Sequence, residues 1–115
     1  MKRDPRLHGL SRDHHHALVL ARRASAGSID LSELRRRFDA ELAPHFAIEE
    51  TTLLPALHAA GEAALALRTE REHHEIRRAL DEGDVATFGR LLTTHVRFEE
   101  RELFPACERF LLAAS

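Results

Sequence analysis

Apolar residues recur along this chain with the period of an α-helix. Leu10, His14, Ala17, Leu18 and Ala21 form one stripe at i, i+4, i+7, i+8 and i+11. Leu34, Phe38, Glu41 or Leu42, His45, Glu49 and Leu53 form a second. Ala66, Thr69, His73, Ile76 and Leu80 form a third, and Phe88, Leu91, Leu92, His95, Phe98, Glu99 and Leu103 a fourth. No stretch alternates with a period of two, no Asn-Gly or Asp-Gly pair marks a hairpin, and β-branched residues are scarce. The pattern predicts four helices, at about residues 11–26, 31–60, 62–82 and 85–113. Ser11, Asp30 (with Glu33) and Asp84 are the expected N-caps, and Gly27, Gly61 and Gly83 the stops. Met1 to Gly9 should be an irregular lead-in with His8 at the surface. Pro44, Pro55 and Pro105 fall inside helices and predict bends there. Short turns between helices make neighbours antiparallel, so the expected fold is all-α, an up-down-up-down four-helix bundle in a single domain spanning residues 1–115.

The stripes are not purely apolar, and their exceptions repeat. The segment from His45 to Pro55 and the segment from His95 to Pro105 share the frame H-x-x-x-E-E-x-x-L-[LF]-P. Arg12-Asp13-His14-His15 is echoed by Arg71-Glu72-His73-His74. Two similar helical hairpins related by a pseudo-two-fold would therefore bring matching polar groups face to face. In a helix, His and Glu four apart differ by about 40° in azimuth and about 6 Å along the axis, so they project together. Each hairpin then offers one His from its first helix and a His and a Glu from its second: His14, His45 and Glu49, then His73, His95 and Glu99. Burying four imidazoles and two carboxylates without a cation carries a large desolvation cost. The six are the candidate metal ligands. Their mixture of nitrogen and oxygen donors suits two ions of iron, with manganese or zinc as poorer fits; zinc more often takes a tetrahedral, thiolate-containing set. Within the runs His14-His15-His16 and His73-His74 the choice of ligand stays open by one or two residues.

Composition narrows the function classes. The chain has 115 residues, 43% hydrophobic and 31% charged, with a net charge of −2. No basic surface for nucleic acid is implied, and arginines at positions 22–23, 35–37 and 77–78 alternate with acids as solvated faces. A single cysteine, Cys107, excludes an internal disulfide and reads as a small buried apolar residue. No apolar run is long enough for a membrane span and no signal-peptide core opens the chain, so the expected location is cytoplasmic. The six phenylalanines, Phe38, Phe46, Phe88, Phe98, Phe104 and Phe110, read as core or pocket lining, and Glu50, Glu100 and Glu102 as solvent-facing or as acceptors for His ring nitrogens.

The doubled H-x-x-x-E-E-x-x-L-x-P, with a D-H ahead of the first copy and an E-H-x-x-I ahead of the second, resembles the hemerythrin-like (HHE cation-binding) family from Leu10 to Pro105. The resemblance implies a non-haem di-iron protein that binds or senses dioxygen, or a related small molecule such as nitric oxide or peroxide. A di-iron peroxidase or oxidase, or iron sensing or storage, are the alternatives, and a metal-free structural bundle stands last. Carried over by motif, His14 and His45 would serve one iron, His73 and His95 the other, with Glu49 and Glu99 bridging. The implied partner is a small molecule such as O2, not nucleic acid or a membrane, for a monomer or homodimer. The chain departs from the oxygen carriers in two places. A further His one turn after the third-helix ligand is here Arg77, which leaves one iron short of a protein ligand unless water, His74 or another Glu fills the place. The second bridge, an Asp five residues after the last His, is here Glu99 at four, with Glu100 at five.

Overall fold

The computed structural model describes residues 7–112. Among the described residues the chain is helical and has no strands. Helix α1 is His8–Ser25. Helix α2 covers residues 31–59, α3 is Ala63–Asp81, and α4 covers 85–112. They form a four-helix bundle in which α1 packs most extensively on α4, and α3 touches both α2 and α4. Among the described residues no helix is long and apolar enough to cross a membrane. The lead-in expected for residues 1–6, and residue 113 of the last helix, lie outside the described residues.

Local chemistry sets most of the ends. Asp30 accepts from the Glu33 backbone N–H at 2.8 Å, and Asp84 from that of Thr87 at 3.2 Å, so each satisfies an orphan donor of the first turn. Gly27, Gly61 and Gly83 adopt φ of 69°, 84° and 74°, which lets the next N–H turn back onto the helix just ended, as in Asp84 to Ala79 at 2.9 Å. Ser11 departs from expectation. Helix α1 opens three residues earlier, at His8, so Ser11 lies inside it and its hydroxyl donates to Glu100 at 2.8 Å instead of capping.

The prolines expected to bend the helices sit just after wide turns. Each follows a π-helical turn, Phe38–Leu42 before Pro44, Glu49–Leu53 before Pro55 and Glu99–Leu103 before Pro105. In the second and third of these, the N–H of Leu54 reaches Glu49 O and that of Phe104 reaches Glu99 O. A proline in a regular ladder loses its own N–H bond and drives its ring into the carbonyl four residues back. Widening the preceding turn by one residue accommodates this while the helix continues.

Two apolar clusters fill the bundle. One gathers Leu20, Leu34, Phe38, Phe46, Ile76, Phe88 and Leu92 among others, and the second Leu7, Leu10, Leu54, Leu57, Leu103, Phe104 and Cys107. The buried polar residues His14, His45, Glu49, His73, His95 and Glu99 lie where the two clusters meet along the helices. Phe110, expected in the core or lining a pocket, is instead 45% exposed. Close approach of α1 and α4 depends on Gly89: a Cβ there would lie 2.4 Å from Ser25 Oγ and 2.6 Å from Ala21 O.

Candidate metal centre

The polar layer takes one His from each of α1 and α3 and a His and a Glu from each of α2 and α4. His14, His45, Glu49, His73, His95 and Glu99 are all buried. Glu49 stands between His45 Nε2 at 3.0 Å and His73 Nε2 at 2.9 Å. Glu99 stands between His14 Nε2 at 2.7 Å and His95 Nε2 at 3.0 Å. The arrangement follows the pseudo-two-fold that the duplicated sequence suggested. His14, His45, Glu49 and Glu99 form one set of donor atoms within 4.8 Å of one another, and Glu49, His73, His95 and Glu99 a second set sharing both glutamates. His15, His16 and His74 are exposed and belong to neither.

Each imidazole turns Nε2 to the centre because a carboxylate holds its other nitrogen. His14 Nδ1 donates to Glu100 at 2.6 Å, and His73 Nδ1 to Glu50 at 2.6 Å. His45 Nδ1 donates to Asp13 at 3.1 Å, and His95 Nδ1 to Glu72 at 2.8 Å. An ionised carboxylate only accepts, so Nδ1 carries a proton, and it is Nε2 that would give up its proton to offer a lone pair to a cation at the centre. Glu50 and Glu100 had been singled out from the sequence as possible acceptors. Asp13 and Glu72 had not, although both precede a His in the R-[DE]-H-H echo. Glu102 is exposed and pairs with Arg68 at 3.3 Å. Phe46 stacks on His73 with centroids 3.9 Å apart and planes 9° from parallel, and Phe104 lies parallel to His14 at 5.1 Å.

Two observations test whether a cation fits. First, His45 Nε2, His95 Nε2, Glu49 Oε2 and Glu99 Oε2 are buried without a hydrogen-bond partner; the 3.0 Å pairs within each helix lack the alignment of a bond. Four orphaned donor atoms in one layer are costly unless something else satisfies them. Second, the cluster is short of positive charge. Burial and the facing Glu99 push Glu49 up from the usual carboxylate range, against the pull of His45 and His73. Burial works against charged Glu99 too, but His95, His14 and His45 hold it well below that range. Burial pulls the His45 imidazolium down, yet Glu49 and Glu99 outweigh this and lift its pKa to about 11. His95 is lifted to about 10, burial being overcome by Glu99 and Glu72. Protons thus occupy the place where divalent cations would serve two carboxylates and four imidazoles.

The sequence profile of the hemerythrin HHE cation binding domain matches residues 6–107. The chain belongs to this family. No curated protein and no solved structure matches it. As a hemerythrin HHE domain it is a metal-binding four-helix bundle, and its buried His and Glu groups are the sets that could hold the ions.

Access to this HHE centre is uneven. A cavity of about 320 Å³ between α1 and α2 is lined by Asp13, His16, Glu41, Pro44, His45 and Ile48, and so reaches one of the inward imidazoles. Its counterpart under the pseudo-two-fold, beside Glu72, Glu75, Leu91 and Thr94, is about 190 Å³.

Proposed function

We propose that this chain is a non-haem di-iron protein that binds or senses dioxygen, or a related small molecule such as nitric oxide or peroxide, in the bundle core. His14 and His45 would hold one ion, His73 and His95 the other, and Glu49 and Glu99 would be shared. The observation that carries the reading is the convergence of four partnerless buried atoms from His45, Glu49, His95 and Glu99. Imidazole and carboxylate donors without a thiolate favour iron over zinc. Iron bound there would supply one-electron redox chemistry toward a diatomic or peroxide ligand.

The protein's own residues do the rest. Asp13, Glu50, Glu72 and Glu100 keep the Nδ1 protons in place and aim the rings. Phe46 and Phe104 cover two of the imidazoles and exclude water from their faces. The cavity beside His45 is large enough to admit a small molecule.

The test is metal analysis of anaerobically purified protein, expected to give about two irons per chain, followed by the absorption spectrum on exposure to O2. Protein that takes up no iron, or that shows no spectral response to O2, nitric oxide or peroxide once loaded, would overturn the reading.

A further inference from the structure

The residue one turn beyond His73 does not enter the cluster. The Arg77 guanidinium donates to both oxygens of Glu50, from Nη1 to Oε2 at 2.7 Å and from Nη2 to Oε1 at 3.1 Å. Glu50 Oε2 in turn accepts from His73 Nδ1 at 2.6 Å. Arg77 also lies over the Phe46 ring, 5.3 Å from its centroid, and Phe46 is the ring stacked on His73. One side chain therefore touches both groups that fix this imidazole, the acceptor at its Nδ1 and the ring on its face.

We infer that Arg77 is a positioning residue for one ion of the pair, setting the orientation of His73 through Glu50 and Phe46. The inference rests on the di-metal reading above. A glutamate at the rim of a bundle has several rotamers open to it, and the planar guanidinium fork selects the one whose oxygens lie in its own plane. The counterpart of Arg77, one turn after His14, is Leu18, which packs against the apolar cluster. The Arg77 fork therefore acts on the His73 half, whereas on the other half Glu100 accepts from Ser11.

Stepwise titration of metal-free protein with Co2+, against a chromophoric chelator, reads both affinities and the ligand-field absorption. In Arg77→Gln one affinity should fall about 10-fold or more while the other stays within about two-fold, and the absorption band should shift. Arg77→Lys, which keeps the charge and loses the fork, should fall between, and it carries the comparison if Arg77→Gln loses helix content. In a Glu50→Gln background, Arg77→Gln should add little, because its main route to His73 is already cut. Unchanged affinities, an equal loss at both ions, or additive losses with Glu50→Gln would overturn the assignment. Wild-type protein that binds no Co2+ would instead remove the di-metal reading itself, before any variant is compared.

Discussion

His45 and Glu49 show what a single residue contributes at this centre. His14 belongs to one donor set, whereas Glu49 and Glu99 belong to both. Removing a shared carboxylate should therefore cost more metal than removing one imidazole. Elemental analysis of Glu49→Ala or Glu99→Ala is expected to show near-complete loss, against retention of about one ion in His14→Ala. Equal occupancy in all three variants would contradict the shared role. Titration is the other property set by single residues. His45 and His95 have folded pKa values of about 11 and about 10 against an ordinary 6.5, so in metal-free protein their stabilisation is complete below 6.5 and lost as pH rises through those values. Glu99, held below 4.5, contributes stability that is present above 4.5 and lost as pH falls through its depressed value. Glu49, raised instead, loses stability as pH climbs above 4.5, so metal-free protein should be most stable toward the acid end of the range between about pH 4.5 and 6.5. Metal affinity should run the opposite way at the upper edge, rising with pH as protons leave the ligands. Urea unfolding of chelated protein across pH, beside metal titrations at the same pH values, checks both slopes.

The helices place these residues through features that only partly follow propensity. In a π-helical turn successive residues are separated by less azimuth than in an α-turn, so Glu49 can face the centre while adjacent Glu50 still reaches a neighbouring imidazole. Replacing Pro55 or Pro105 with Ala removes the clash that favours the wide turn. Metal affinity should fall with helix content unchanged by circular dichroism; unchanged affinity would mean that burial of Leu53 and Leu103 holds the turn by itself. Gly89 acts between elements. Gly89→Ala would force α1 and α4 apart against Ser25 and the Ala21 carbonyl, costing ~1–3 kcal/mol of stability, measurable by chemical denaturation.

In the whole molecule, a polar layer is held between two apolar clusters, and neither cluster can close over it without leaving polar atoms unsatisfied. Metal binding and folding are consequently linked. At free metal about 100 times the dissociation constant, stabilisation should be about 2.7 kcal/mol per ion, seen as a higher melting temperature than after chelation. Coincident melting curves, with metal removal verified, would favour a purely structural bundle.

The chain alone determined the helices, the bundle and the inward His45 and His95, because stripe period, caps and glycine stops are properties of one segment at a time. The duplicated H-x-x-x-E-E also carried Glu49 and Glu99, since four residues along a helix is a local distance. Other features were decided only by the assembled bundle. The run His14-His15-His16 has one buried member because the rotation of α1 against its neighbours chooses the face. The acceptors of the four Nδ1 atoms come from 23 to 86 residues away on other helices, so no spacing within a helix encodes them. Ser11 satisfies every local rule for a cap, yet it serves Glu100, because α4 places that carboxylate beside it. Arg77, read from its position as a missing ligand, instead reaches Glu50, since a long cationic side chain goes to the nearest carboxylate that the neighbouring helix presents.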